Sequence, residues 1–489
     1  MGSFVLHANE PDLMHLLSLL QVPHGTVVPH EAPDDLHIIR WGVYAPDPLL
    51  ALNQRLLNPL KCVLRASHLK TTHEILQLHG MKVAPMSTSE PISYSYEYII
   101  PVFHLAAHSV FEKKRMSPIF SDYPYSNQAA ERFREMNLNE PGFHLRRALR
   151  VALQAVYALG LDVAVVYISI NARGETLVIN VDAVPKLTKR LAAIFAQSIH
   201  GYDQEQLVLA EEKSAKPIQL ATLGADPEFI LLRPDGRVVS AARYMERQGS
   251  VGCDAVVLHN HRVILPLVEL RPDPSPDPRL LLKNLRKMMV QADLMINDRQ
   301  LRWLTGGMPI KGIPLGGHIH FSGVELSSQL LRVLDNYLAL PLVLLEGPAA
   351  SKRRPRYGVL GDFRKQSHGG FEYRTLASWL GTPQIAGGVL SLASVIANHF
   401  TLLKQQPLLH LDVQRAYYKG EKAKLLPFVY ELWKDVQSTP TYSNYCDELD
   451  ELFQLLVNLK AWPDGEDFRK HWQLPNSKQT VDTIRRFVL

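Results

Sequence analysis

Between residues 224 and 380, ionisable side chains recur in pairs, two residues apart, inside otherwise apolar runs. The pairs are Asp226 with Glu228, Glu269 with Arg271, His318 with His320, and Glu372 with Arg374. In a β-strand, residues i and i+2 leave the same face, so each pair is presented together. A sheet built from these strands must therefore gather acids, histidines and arginines. In the first block, Gly224-Ala-Asp-Pro-Glu-Phe-Ile, two neighbouring carboxylates repel each other unless a cation lies between them. Oxygen ligands at this spacing suit Mg²⁺ or Mn²⁺. The plain alternative is a solvated strand face.

The other blocks read in the same way. Glu269 interrupts the apolar strand Pro266-Leu-Val-Glu-Leu-Arg-Pro272, and a surface ion pair with Arg271 would explain it at a worth of ~0–1 kcal/mol. In Gly316-Gly-His-Ile-His-Phe-Ser-Gly323 the flanking glycines let another group approach the backbone. The last block, Gly369-Gly-Phe-Glu-Tyr-Arg-Thr-Leu-Ala-Ser-Trp379, follows a stretch holding Arg353, Arg354, Arg356, Arg364 and Lys365. Taken singly, Arg353 and Lys365 read as solvated loop residues. As a group facing carboxylates, these cations suit phosphate oxygens, which a planar guanidinium matches bidentately. Acids on several strands, histidines beside them and arginines across from them share one chemical use. The acids hold divalent metal, the metal bridges a nucleoside triphosphate, and the arginines stabilise the phosphoryl group in flight.

The 489 residues allow two or three domains, and 46% hydrophobic with 21% charged residues is the balance of a globular chain. The net charge of +5 comes with no basic stripe, so nucleic acid is not expected as a partner. Cys62, Cys253 and Cys446 lie far apart with no CxxC pair, which argues against a disulfide framework or a structural zinc site. No secretory pattern opens the sequence, and Leu6 stands where myristoylation wants Ser or Thr. The longest apolar run, around Leu338 to Leu345, is broken by Pro341, so no membrane span is expected and the cytoplasm is the expected compartment. Helical periodicity from Phe143 to Leu159 precedes strands at Asp162–Ile170 and Thr176–Asp182. The charged stretch at 206–219, ending near Pro217, reads as a linker. Beyond it come short strands, a hairpin at Pro234-Asp-Gly236, a turn at Asn260-His-Arg262, and a helix from Leu280 to Asn297. From Pro383 the chain turns helical, over Ile385–Gln405, Asp412–Gln437 and Cys446–Leu459. The expected fold class is α+β.

The series Gly-Ala-Asp-Pro-Glu-Phe, Glu-Leu-Arg-Pro, Gly-Gly-His-Ile-His-Phe and Gly-Phe-Glu-Tyr-Arg-Thr-Leu-x-Ser-Trp-Leu resembles the phage- and Firmicutes-type amidoligases. These belong to the carboxylate–amine ligase superfamily with the glutamine synthetase-like fold. The resemblance spans roughly residues 220 to 382. It implies a glutamine synthetase-like antiparallel-sheet catalytic core there, with 383–489 as the helical C-terminal part of the same domain. It also implies an enzyme that uses ATP and Mg²⁺, or Mn²⁺, to phosphorylate a carboxylate before an amine displaces the phosphate. Carried over by position, Asp226, Glu228, Glu269 and Glu372 would be metal ligands. His320, with His318, would complete the metal shell or touch phosphate. Arg374, Arg364 and Arg271 would face the phosphoryl group, with Arg374, Arg364 and Glu372 as catalytic residues. The family often has Glu where this chain has Asp226, which reaches one methylene less far. Asp254, after Gly252-Cys253, matches a Gly-x-Asp turn and is a substrate-facing candidate. Cys253 has no base at a useful spacing and reads as a buried structural cysteine.

In the first 205 residues, Lys70-Thr71 before a helix, and Gly80 followed five residues later by Pro85, resemble the entry region of ATP-grasp ligases. The strands at 162–170 and 177–185 resemble that family's metal-bearing pair, but Tyr167 and Asn180-Val-Asp182 stand where it carries acids. A neutral Tyr and Asn hold Mg²⁺–ATP poorly. This implies an ATP-grasp-like α+β domain that has lost catalysis, free to bind a carboxylate substrate, a peptide or a partner. Two rival readings are a non-catalytic scaffold of degenerate ligase domains and a metal-dependent hydrolase. The expected partners are small-molecule or peptide carboxylate and amine substrates, with homo-oligomers possible through the helical C-terminal faces.

Overall fold

A computed structural model describes residues 2–8, 10–43, 47–50, 54–85, 94–114, 133–215, 220–257 and 263–474. The chain divides into two compact units, Met1–Ile218 and Gln219–Leu489. Both mix strands and helices, as an α+β class requires.

In the first unit, strand β1 (Ser3–His7) and strand β2 (His37–Trp41) form the centre of a four-stranded parallel sheet. No such sheet is expected from the sequence, because its strands are short and widely separated along the chain. A second, largely antiparallel sheet holds β3 (Tyr94–Phe103), β4 (Val163–Asn171) and β5 (Thr176–Asp182). Helix α1 (Phe143–Ala158) precedes β4 where its periodicity places it. Helix α2 (Lys189–Ala215) overturns most of the expected linker at 206–219. Its Glu, Gln, Leu and Ala residues are good helix formers, and the charged run is the helix's solvated face, with Glu205, Glu211 and Glu212 exposed. Residues 216–219 lie outside the described residues.

The second unit is built on a sheet of antiparallel strands. They are β6 (Thr222–Leu232), β7 (Val251–Val257), β8 (Val263–Leu270), β9 (Gly317–Ser322), β10 (Phe363–Lys365) and β11 (Phe371–Tyr373). Across the sheet the order is β7-β8-β6-β9-β11-β10. The expected turn at Asn260-His-Arg262 lies outside the described residues. On β6, Leu223, Ala225 and Phe229 point away from Asp226 and Glu228 into the core. Phe229 stacks on Trp303 at 4.6 Å between centroids and meets Phe468 edge-on. Burying a ring of this size contributes ~1.5–3 kcal/mol, which anchors β6 from below.

Helices α3 (Pro278–Met295) and α7 (Cys446–Val457) follow the predicted periodicity, whereas α4 (Pro383–His399), capped by Thr382 through Ile385 N, ends six residues before the expected Gln405. The expected helix over 412–437 is in fact two, α5 (Leu411–Lys419) and α6 (Lys422–Gln437). Gly420, at φ 70°, closes the first in the left-handed conformation that glycine adopts readily. The apolar run around Leu338–Leu345 is also not broken. Residues Ser328–Leu345 form one helical stretch, long and apolar enough to cross a membrane, but almost wholly buried in the unit's core. A π-helical turn at Asp335–Ala339 precedes Pro341, which starts the following turn, where its missing N–H matters least.

Asp464, in the segment after α7, sits against Gly306 and Gly347. Burial, followed by the Glu346 carboxylate, pushes its carboxyl up to about 7. The folded protein thus binds this proton more tightly than the unfolded chain, and stability falls as pH rises from about 4 to about 7. Asp464→Asn should flatten that slope and add on the order of 1 kcal/mol at pH 8, measured by thermal denaturation across pH. Identical slopes for the two proteins would show that Asp464 is not held this way.

Candidate active site

Strand register gathers the site. On β6 and β9, Asp226 lies directly opposite His318, and Gly224 opposite His320. On β6 and β8, Glu228 faces Glu269. On β9 and β11, His320 faces Glu372, which in turn faces Arg364 on β10. Directly opposed residues of an antiparallel pair share a face, so all of these side chains leave one side of the sheet.

At the centre, His318 Nδ1 lies 3.2 Å from Asp226 Oδ1 and 3.2 Å from Glu372 Oε1. His320 Nε2 lies 3.2 Å from Asp226 Oδ2. Glu372 is fully buried, yet it draws both expected arginines. Its Oε2 accepts from Arg364 Nε at 2.7 Å and Gln366 Nε2 at 3.1 Å, and its Oε1 is 3.0 Å from Arg374 Nε. Gln366 has no recognisable signal in the sequence; the tight turn between β10 and β11 brings it back over Glu372. Glu228 is held differently, its Oε2 accepting from Gly316 N at 2.7 Å and its carbonyl from Ser378 Oγ at 2.6 Å.

Electrostatics separate the acids. Burial disfavours charge on Asp226, but the charges of His318 and His320 beside it hold its carboxyl well below the usual carboxylate range. Burial raises Glu228 to about 7, against the pull of His318 and the Gly316 amide. Burial, and then the Asp226 charge, also raise Glu269. For His318, burial lowers the imidazole, but Asp226, Glu228 and Glu372 together lift it to about 9. A protonated His318 thus provides the positive charge between two buried acids.

Asp226, His318 and Glu372 each offer a ligand atom within 4.8 Å of the others, the one such group among the described residues. Asp226 Oδ1, His318 Nδ1 and Glu372 Oε1 are also buried without a hydrogen-bond partner, as are His320 Nε2 and Arg374 Nε nearby. These atoms meet one another only as ion pairs, at 3.2 Å for His318 and His320 and 3.0 Å for Arg374, so buried charge is concentrated here without directional hydrogen bonds, which suits a face that receives a ligand. Two carboxylates and an imidazole fit a divalent cation, and the imidazole suits Mn²⁺ at least as well as Mg²⁺. This trio contains His318, expected at phosphate, where the sequence reading had His320 as a metal ligand. Glu228 and Glu269 lie outside the trio but on the same face.

Other expected site residues are placed elsewhere. Arg271 pairs with Glu269 and donates from Nη1 to the carbonyls of Gly249 at 2.9 Å and Arg247 at 3.2 Å, so its guanidinium is committed to the loop before β7. Asp254 lies 3.9 Å from Arg247 and contributes to the charge around Glu228. Cys253, one residue away, is buried, as expected of a structural thiol. Of the cations grouped with Arg364, Arg353 and Arg354 are buried rather than solvated, and Arg354 forms a bidentate pair with Glu346. Arg356 donates to Val257 O, and Lys365 alternates to the opposite face of β10 from Arg364. In the first unit, Tyr167 lies directly opposite Asn180, with Asp182 two residues on, so this face carries one acid among those three.

A family model described as phage phiEco32-like COOH.NH2 ligase-type 2 matches residues 223–474, slightly more than half of the chain. No curated protein matches. Among solved structures, a bifunctional glutathione synthetase from Pasteurella multocida is similar at 11% identity and a TM-score of 0.33, over 57% of this chain and 54% of that one. The chain therefore spans about half of that protein's length. The complex of the ubiquitin-like protein Pup with its ligase PafA is similar at 13% identity and a TM-score of 0.30, over 55% and 69% of the two chains. The macrocyclase MdnC from Microcystis aeruginosa, bound to the precursor peptide MdnA, is similar at 6% identity and a TM-score of 0.27, over 40% and 98%. Likenesses this distant carry no argument about this chain.

The arrangement around Arg271 is testable by itself. A Cβ added at Gly252 would stand 2.3 Å from Arg271 Nη1 and 2.8 Å from Arg247 O. Gly252→Ala should therefore expel the guanidinium and cost ~1–3 kcal/mol in chemical denaturation. An unchanged midpoint would show that Arg271 is not seated there.

Proposed function

We propose that this chain, which belongs to the phage phiEco32-like COOH.NH2 ligase-type 2 family, is an ATP- and magnesium-dependent carboxylate–amine ligase acting through an acyl phosphate. Its active site is the charged face of the second unit's sheet. The observation that carries this reading is the convergence of Asp226 Oδ1, His318 Nδ1 and Glu372 Oε1, all within 4.8 Å of one another, beside Arg364 and Arg374. Asp226, Glu372 and, once it has given up its proton, His318 would hold the divalent ion, with Glu228, Glu269 and His320 around it. The ion, when bound, neutralises phosphate charge and polarises the phosphoryl oxygens.

The chain's own groups then divide the work. Arg374 and Arg364 stay partly exposed above buried Glu372, at 36% and 57% side-chain exposure, and so remain within reach of a substrate. Glu372 fixes both guanidiniums in position, and they stabilise the oxygens of the phosphoryl group as a substrate carboxylate attacks the terminal phosphorus of ATP and ADP leaves. In the second half-reaction the amine attacks the acyl carbon, inorganic phosphate departs, and the nitrogen loses a proton. An amino acid, a peptide or a cell-wall-type compound supplies the carboxylate. We assign the first unit no catalysis, on there being one acid among Tyr167, Asn180 and Asp182, and give it the role of holding a carboxylate substrate, a peptide or a partner. A scaffold without any catalysis is the weaker reading, since it has no use for four buried carboxylates gathered on one face.

Isothermal titration of ATP with Mg²⁺ or Mn²⁺ tests where the nucleotide binds. Metal-dependent binding should be present in the wild type and lost in Asp226→Asn/Glu228→Gln. Binding that survives the double substitution would move the nucleotide to the first unit, and no binding to either protein would favour a scaffold. For chemistry, Arg374→Ala should lower ATP turnover by about 10²–10³-fold with little change in melting temperature. A large loss of stability in a protein whose wild type lacks turnover would make Arg374 structural.

A further inference from the structure

Beneath the charged face lies a cation that the proposed chemistry does not use. Arg353 is 3% exposed and forms no ion pair with any carboxylate among the described residues, although the Glu346 carboxylate, paired with Arg354, is the strongest favourable charge acting on it. Its guanidinium donates instead to two successive carbonyls, Nη1 to Thr375 O at 3.1 Å and Nη2 to Leu376 O at 2.9 Å. A Cβ at Gly358 would stand 2.6 Å from Arg353 Nη1, so this residue must be glycine for the guanidinium to lie flat against the chain. Burying a guanidinium without a carboxylate against it is costly, and such an arrangement persists where the surroundings need that charge or that geometry.

The two carbonyls explain the need. Thr375 directly follows Arg374 and lies three residues after Glu372. Leu376 O also accepts from Gly317 N at 3.1 Å, and Gly317 is the residue before His318. Two residues further, Ser378 Oγ donates to Glu228 O. One side chain thus clamps the segment that continues β11 at the point where it is stitched to β9 and β6. These three strands carry Glu372, His318, Asp226 and Glu228. Arg354, its neighbour, is occupied by Glu346 and by the Tyr417 ring, 4.8 Å away, and does not share the task.

We propose that Arg353 is a positioning residue for the metal-holding face: its guanidinium, held against the Thr375 and Leu376 carbonyls, sets the spacing of the strands bearing His318 and Glu372. The proposal rests on the ligase reading of that face, so its test uses Mn²⁺ alone and needs no substrate. Mn²⁺ binding would be titrated by electron paramagnetic resonance on the full-length wild type, Arg353→Lys and Arg353→Met, with melting temperatures measured in parallel. Arg353→Lys keeps the charge but not the planar fork, and is the variant to use if Arg353→Met does not fold. The expected result is at least tenfold weaker Mn²⁺ binding in folded Arg353→Met and a smaller loss in Arg353→Lys. Mn²⁺ binding within twofold of wild type in a folded variant with a lowered melting temperature would make Arg353 purely structural and overturn the proposal. Failure of the wild type itself to bind Mn²⁺ would instead strike at the metal assignment of the face, and the positioning role would fall with it.

Discussion

Four carboxylates buried on one face of a sheet repel one another, and everything around that face answers to this repulsion. Asp226, Glu228, Glu269 and Glu372 are each at most 7% exposed. Water cannot screen them, so nearby cations must. His318 answers for Asp226 and Glu372, Arg364 and Arg374 for Glu372, and Arg271 for Glu269. Glu228 forms no ion pair among the described residues, and its Oε2 is held by the Gly316 amide. At the centre Asp226 Oδ1, His318 Nδ1 and Glu372 Oε1 meet as ion pairs without hydrogen bonds, and a divalent ion that displaced the His318 proton could bind all three.

The antiparallel register turns this local problem into a single site. Because opposed residues share a face, the pairings Asp226–His318, Glu228–Glu269 and His320–Glu372–Arg364 fix the layout before any loop is considered. A slip of one residue in any of these strands would send its charges into the core now filled by Phe229, Ile319, Phe321 and Tyr373. The aromatic stack of Phe229 with Trp303 and Phe468 therefore does more than add stability. It holds the register on which the chemistry depends.

The i, i+2 charge pairs were legible in the sequence because strand periodicity carries them, and so was the grouping of the acids with Arg364 and Arg374. The fate of individual cations was not. Arg353, Arg354 and Arg356 are identical in type to Arg364, and only the fold decides that they serve backbone carbonyls and Glu346 instead of the open face, while Arg271 divides between Glu269 and the carbonyls of Arg247 and Gly249. Gln366 was invisible because a turn, not a motif, delivers it. The same limit applies to the fold. The charged stretch before Pro217 has linker composition and helix propensity at once, and tertiary structure resolved it as α2. Pro341 reads as a breaker until the π-helical turn before it accommodates the ring. Gly420, conversely, was a stop signal present in the sequence and passed over. The parallel sheet around β1 and β2 depends on pairings between segments about thirty residues apart, which no local pattern reveals.

The central claim is that Asp226, His318 and Glu372 hold a divalent cation. The most direct measurement is anomalous diffraction from crystals of the full-length protein grown with Mn²⁺ and a non-hydrolysable ATP analogue. A manganese peak bounded by these three side chains, with phosphate density toward Arg364 and Arg374, is the predicted result. Manganese and nucleotide bound elsewhere, with this face bare, would contradict it.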